Sequence, residues 1–161
     1  MIKTINNFKG LKYRQQIIYK NSKICCINDS KATSFSSSID IIQSKKEIFW
    51  IVGGIPKLGD KFYLSRKNCK NIKAYIFGRN KKFFIKQFRN KISYYCSENL
   101  SKIILKVLHD IKNSKSNLHK TILFSPSAAS FDTFSNFEER GDYFNFLLKK
   151  YKVKKTINAI I

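Results

Sequence analysis

The sequence contains no C-x-x-C pair, only two histidines and no long apolar run, and each absence removes a class of function. Its four cysteines, Cys25, Cys26, Cys69 and Cys96, show no metal-ligand or redox spacing. Cys25 and Cys26 are neighbours in a strand-like stretch whose adjacent side chains point to opposite faces, so they read as small buried residues of a reducing compartment. His109 and His119 stand ten apart with no acidic or cysteine partner at ligand spacing, and no zinc site is expected. No stretch approaches the roughly 18 apolar residues of a membrane helix, and "MIKTINNFKG" lacks the apolar centre of a signal peptide. The expectation is a cytoplasmic monomer without a membrane partner. A G-x-x-x-x-G-K-[ST] loop is also missing, which excludes a self-sufficient P-loop cradle for a triphosphate.

Acidic residues are scarce, 10 against 32 Lys and Arg, and the formal net charge is +22. So large a surplus normally raises nucleic acid or another polyanion as a partner. Arginine accounts for only five of the 32 (Arg14, Arg66, Arg79, Arg89 and Arg140), and specific nucleic-acid recognition leans on the bidentate arginine fork. Lysine is instead spread over every segment of a chain also rich in Ile, Asn, Phe and Tyr, residues that an AT-rich coding sequence favours. The charge reads as compositional drift and solvated faces, with attraction of anionic small molecules as its functional part. No nucleic-acid partner is expected.

With 161 residues the chain can bury one sizeable core and is too short for two ordinary domains. A single domain over 1–161, with its core from about 8 to 151, is therefore expected. Short β-branched and aromatic runs recur at 23–27, 48–52, 74–77, 93–96 and 121–124. Between them Ala32, Phe35, Ile39 and Ile42 step at helical spacing, and Leu100, Ile103, Ile104, Val107, Leu108 and Ile111 keep a 3.6-residue period. Further helices are expected over 81–91 and from near Asn136 to Tyr151, with a loose tail after them. "YRQQIIYK" (13–20) reads as a strand turning into the first run, which adds one antiparallel strand. The alternation predicts repeated βα units on a mainly parallel sheet.

In such a sheet, ligands bind beyond the carboxyl ends of the strands, where helix N-termini point free N–H groups outward. Three segments fall there. In "NDSKAT" (28–33), Ser30 reads as an N-cap with Lys31 and Thr33 on the first turn, a combination that favours a carboxylate or phosphate. Asp29 could accept from paired sugar hydroxyls. A plain helix cap with an exposed Lys reads equally well. In "GGIPKLGD" (53–60), two glycines precede Lys57; they permit close backbone approach to a ligand or simply turn the chain. "SPSAASFDTFSNFEERG" (125–141) sets small residues before Phe131, Phe134 and Phe137, then Glu138, Glu139, Arg140 and Gly141. It suits a tight pocket wall, or a loop pinned to the core by its rings.

Taken together and in this order, "NDSKAT", "WIVGGIPK" and "SPSAASFDTFSNFEERG" closely resemble the C-terminal domain of the D-glutamate-adding ligases of the Mur ligase family. "FKGLKYRQQ" resembles the family's F-x-G-L-x-H-R lead-in, so the likeness runs from about Phe8 to Tyr151. The resemblance implies a Rossmann-like three-layer α/β domain with a mixed six-stranded sheet, five strands parallel and one antiparallel, and helices on both faces. For the complete enzyme it implies ATP- and Mg²⁺-dependent attachment of D-glutamate to UDP-N-acetylmuramoyl-L-alanine in peptidoglycan synthesis. Residue by residue, it puts Arg14, Asp29 and Lys31 at ATP, with Asp29 on the ribose. It puts Lys31, Thr33, Lys57, Ser130, Phe131 and Phe137 around D-glutamate. Tyr13 replaces the family's His before Arg14, and Ser34 its Asn after Thr33. The family's uridine-nucleotide and central ATPase domains, the latter with G-T-N-G-K-T, have no counterpart in the sequence. Triphosphate cradle and magnesium ligands are expected in those domains, supplied in trans if at all, and the isolated chain is expected to be inactive. Two other readings are a non-catalytic basic anion-binding module that keeps the fold and a Mur-type domain for another amino acid.

Overall fold

The five apolar runs become the parallel strands of one six-stranded sheet in the computed structural model, which describes residues 10–160. In chain order the elements are β1 (Gln16–Lys20), β2 (Ile24–Asn28), α1 (Phe35–Gln43), β3 (Glu47–Gly53), a 3₁₀ turn (Arg66–Cys69), β4 (Ile72–Phe77), α2 (Lys81–Phe88), β5 (Ser93–Ser97), α3 (Leu100–Lys112), β6 (Lys120–Phe124), α4 (Phe137–Lys150) and α5 (Val153–Ile160). The strand order is β1-β2-β6-β3-β4-β5, with β1 antiparallel on β2 and every other pair parallel. The expected mixed sheet, five strands parallel and one antiparallel, is what the chain forms.

Strand periodicity explains the three layers. Along β3, Ile48, Trp50 and Val52 face one core with α1 and α2, while Phe49 and Ile51 face the other with α3, α4 and α5. Central strands covered on both faces read as continuous apolar runs, which is why the sequence marks them so clearly. Phe35, the first residue of α1, docks its ring against Trp50, Phe62 and Phe88 at centroid distances of 6.1, 5.5 and 5.8 Å. That anchor fixes where α1 begins, and therefore where the loop from β2 must run. Among the described residues, no helix is long and apolar enough to cross a membrane.

Three boundaries differ from expectation. β1 starts at Gln16 rather than Tyr13, because Tyr13 (φ 60°) and Gln15 (φ 48°) adopt left-handed conformations incompatible with a strand. α1 starts at Phe35 and its N-cap is Ser34, not Ser30. The tail is not loose: Val153 and Ile157, spaced i, i+4 on α5, are buried in the α3–α4 face of the core. Phe8, where the family likeness begins, lies outside the described residues.

Candidate functional site

Because β6 lies between β2 and β3, the three chemically loaded segments emerge side by side at the strands' carboxyl ends. Backbone bonds then join two of them. Ile55 and Ala129 exchange N–H···O bonds of 2.8 and 2.9 Å, and Gly53 N–H donates to Pro126 O at 3.1 Å. Gly54 (φ 127°) explains its own identity, since a Cβ there would stand 2.3 Å from Ala129 O. The close backbone approach that the glycine pair permits is thus to the neighbouring loop at Gly54 and to Phe77 O, at the end of β4, at Gly53.

The third segment is tied in by Arg140, whose side chain is completely buried. Its Nε donates to Ser30 Oγ (3.1 Å), its Nη2 to Ser30 O (2.7 Å) and its Nη1 to Ala128 O (2.9 Å). Burial pulls the guanidinium pKa down to about 10, against the opposing attraction of Asp132. Ser30 Oγ also donates to Phe137 O at 2.8 Å, so the hydroxyl expected to cap a helix instead ties the loop after β2 to the first turn of α4. A second buried chain runs from Asp29 Oδ2 to Ser125 Oγ (2.8 Å), on to Ser38 Oγ (2.7 Å), and from there to Ser127 Oγ (2.6 Å). Trp50 Nε1 completes it by donating to Ser125 O at 2.7 Å.

These frames carry the candidate residues as follows. Asp29 is only 3% exposed; Oδ1 accepts from Gln15 N–H at 3.1 Å and Oδ2 from Ser125. Burial raises its carboxyl pKa, opposed by those two bonds and by the Arg14 charge beside it. Arg14 is exposed on the turn before β1. Lys31 donates its backbone N–H to Tyr13 O (3.0 Å), and its ammonium lies 3.8 Å above the centroid of the Phe137 ring. Tyr13 meets the same ring edge-on at 6.3 Å and donates its hydroxyl to Asp142 Oδ1 at 2.7 Å. That bond first, and burial second, push the phenol up to about 12. Arg14, Asp29, Lys31 and Phe137 are therefore one cluster with Tyr13 at its centre. Thr33 is exposed two residues beyond Lys31, and Lys57 is exposed on the loop after β3. Ser130 is buried, its carbonyl accepting from Thr133 and Phe134 N–H, while the Phe131 ring beside it is 70% exposed. In the same loop Asp132 Oδ2 is buried without a hydrogen-bond partner, and burial raises that carboxyl's pKa.

The anion attractors differ from those expected. The N-terminus of α1 is already occupied, because Phe35 N–H donates to Asp60 Oδ2 (2.8 Å) and Ser37 N–H to Ser34 Oγ (3.4 Å). α4 is closed by its own capping box: Asn136 Oδ1 accepts from Glu139 N–H (2.7 Å), and Glu139 Oε2 from Ser135 N–H (2.7 Å). Lys31 and Thr33 sit in the loop ahead of α1 rather than on its first turn. The cationic groups at this ledge are the side chains of Arg14, Lys31 and Lys57, not free helix N–H groups. The ledge is also distinct from the groove of about 900 Å³ at the same end, which is lined by Phe77, Lys81, Glu98, Lys102, Thr133 and Phe134 among others, and by no candidate residue.

Residue-by-residue reasoning gave no role to Arg140, Tyr13 or the Ser38–Ser125–Ser127 relay. For Arg140 a signal existed: it falls on the stripe of Phe144, Leu147 and Leu148, where a charged residue can be buried only with partners.

No family model matches the chain. Curated relatives do. A UDP-N-acetylmuramoylalanine–D-glutamate ligase of Wolbachia sp. subsp. Brugia malayi is 37% identical over 161 residues, covering all of this chain and 32% of that protein. The ligases of that name from Rickettsia felis and Rhizobium meliloti are each 34% identical, over 151 and 140 residues, covering 94% and 87% of this chain and 33% and 30% of theirs. The chain spans about a third of the length of the curated relatives it matches. This likeness, running the length of a Rossmann-like mixed sheet, makes the chain a member of the Mur ligase family that corresponds to one domain of its D-glutamate ligases, consistent with their C-terminal domain.

Proposed function

We propose that this chain forms the D-glutamate- and ATP-facing wall of a cytoplasmic ATP-dependent ligase that joins D-glutamate to UDP-N-acetylmuramoyl-L-alanine in peptidoglycan synthesis. The observation that carries this reading is the convergence of Arg14, Asp29, Lys31 and Phe137 beside the Lys57 and Ser130 loops, in a chain whose relatives bear that name. The two carboxylates of D-glutamate meet Lys31, Lys57 and the Thr33 hydroxyl. Ser130 and Phe131 flank the amino acid's backbone, and Phe137 closes the pocket while its ring face holds the Lys31 ammonium in place. Arg14 and Asp29 face the nucleotide. Since Asp29 is 3% exposed, its contact with the ribose requires the 13–15 turn to lift, a ribose hydroxyl taking the place of Gln15 N–H.

In the complete enzyme the γ-phosphoryl group of ATP passes to the acceptor carboxylate, its bond to the β-phosphate oxygen breaking as ADP leaves. The D-glutamate amine then attacks the acyl phosphate, phosphate leaves, and the amine loses a proton to give the amide. Mg²⁺ supplies charge neutralisation during phosphoryl transfer. On this reading the magnesium ligands belong to the ATPase domain of the complete enzyme rather than to this chain. Its own residues bind and orient, and the chain by itself does not catalyse the reaction.

Calorimetric titration with D-glutamate, L-glutamate and ATP tests the reading, together with labelled D-glutamate incorporation when uridine-nucleotide and ATPase domains are added separately. Expected are weak binding that prefers D- over L-glutamate, lost in Lys31→Ala, and incorporation only in the mixture. Incorporation by the chain alone, or equal affinity for both enantiomers, overturns it.

A further inference from the structure

The excess positive charge is not evenly distributed. Five segments leave the carboxyl ends of the parallel strands (29–34, 54–64, 78–80, 98–99 and 125–136), and together they hold four acidic residues and four Lys or Arg. The five segments that lead into the other ends of those strands (21–23, 44–46, 65–71, 89–92 and 113–119) hold nine Lys or Arg and no Asp or Glu. The nearest carboxylates inside that end are consumed, Asp110 by Lys73 and Lys106, and Glu47 by Lys120 at 3.4 Å. Helix C-termini do end there, but α1, α2 and α3 supply only about −0.5 charge each. Complementing them explains one or two of these cations, not nine.

We propose that this end of the domain is a docking plate for an anionic bilayer surface, with the candidate site at the opposite end left facing away from it. The five strand ends span about 20 Å at normal strand spacing, so their loops present the charge to one broad surface. Lysines at one end include a cleft of about 460 Å³ lined by Lys45, Lys46, Lys67 and Lys70 with Asn68 and Asn71, and no acid. Diffuse attraction of this kind suits anionic headgroups, which reward each lysine near the surface without demanding geometry. Nucleic acid fits less well. Only Arg66 and Arg89 among the nine can grip phosphate bidentately, the five segments contain no Phe, Tyr or Trp on which bases could stack, and the helices turn their carbonyl ends, not their N–H ends, to this side.

Co-sedimentation of the full chain tests this with vesicles of phosphatidylcholine alone and of phosphatidylcholine mixed with phosphatidylglycerol, at low and high salt. Binding is expected only to the mixed vesicles, and only at low salt. The quadruple variant K45Q/K46Q/K67Q/K70Q should lose at least about tenfold in vesicle affinity. A control that removes the same charge from the other end, K61Q/R79Q/K82Q/K102Q, should stay within about threefold. Circular dichroism confirms that both variants fold. Equal losses in the two variants would mean that net charge alone matters, and would overturn the proposal. So would equal binding to phosphatidylcholine, or tight binding to duplex DNA with none to the mixed vesicles.

Discussion

Arg140 offers the sharpest test of how the site is held together. Replacing it with Ala removes three charge-assisted hydrogen bonds and leaves two buried carbonyls, Ser30 O and Ala128 O, without the donor they have now. Each such orphan costs about 1–3 kcal/mol, and the emptied volume adds to that. Against these stands the relief of no longer burying a guanidinium that has no directly bonded carboxylate, which offsets part of the loss. The net expectation is about 3–5 kcal/mol of lost stability for Arg140→Ala, a large share of what a domain of this size has. Arg140→Met keeps most of the volume and loses every donor, so it should cost about 2–4 kcal/mol. Arg140→Lys keeps one donor at most and should be the mildest of the three, at about 1–3 kcal/mol. Urea unfolding followed by tryptophan fluorescence gives the differences, provided the m-value stays constant. If Met is as stable as the parent while Ala is not, the residue is a space-filler and the account of two loops held by one guanidinium is refuted.

Three further perturbations read other parts of the structure. Tyr13 has its folded pKa raised to about 12 from about 10 unfolded, so the folded state retains a proton that the unfolded state releases. Stability from this group is full below pH ~10 and is lost as pH rises toward ~12, and Tyr13→Phe should flatten that alkaline limb in thermal melts. Asp110 behaves oppositely: burial would raise its pKa, but bonds from Lys106, Lys73 and Tyr75 bring it well below the usual carboxylate range. Its contribution is present above the unfolded pKa and disappears as pH falls below ~4, so Asp110→Asn should cost about 1–2 kcal/mol at pH 7, after screening of the partly exposed lysines, and little in acid. Gly54→Ala would drive a Cβ to 2.3 Å from Ala129 O and should cost about 2–4 kcal/mol by unfolding assay. Gly59→Ala, with open space around it and φ +77°, should cost only about 1 kcal/mol.

The sheet was legible because its signal is local. A strand buried on both faces must be apolar along its length, so 48–52, 74–77 and 121–124 announce themselves, and six buried residues at helical spacing announce α3. The order of the three loaded segments was legible as well, once the alternation of strands and helices fixed which ends share a side. What the sequence concealed depends on partners more than a hundred residues away. Ser30 looked like a helix cap and became a bridge because Arg140 and Phe137 claim it across 110 and 107 residues. Tyr13 looked like strand and took a left-handed turn, its ring packed where Gly141 leaves room and its hydroxyl taken by Asp142. α5 hid behind its lysines, although Val153 and Ile157 stand one helical turn apart.

The displaced start of α1 changes how an anion can be recognised at this ledge. A helix N-terminus attracts a carboxylate through unpaired N–H groups, and at α1 the Phe35 N–H already serves Asp60 and the Ser37 N–H serves Ser34. A second carboxylate brought within about 4 Å of Asp60 would meet repulsion of order 4 kcal/mol at an effective dielectric near 20, more than the helix dipole returns. On the proposed reading, a dianionic amino acid is therefore directed away from the helix and toward Lys31 and Lys57, both on loops outside it. Loop cations can be placed only by what holds the loops. Lys31 is set by its backbone bond to Tyr13 and by the Phe137 ring, and the loop that carries it is closed against α4 by Ser30 and Arg140. The hydroxyl-rich stretch after β2 thus divides its labour: residues 29–33 hold the candidate polar groups, and the helix that follows anchors them through the ring of Phe35.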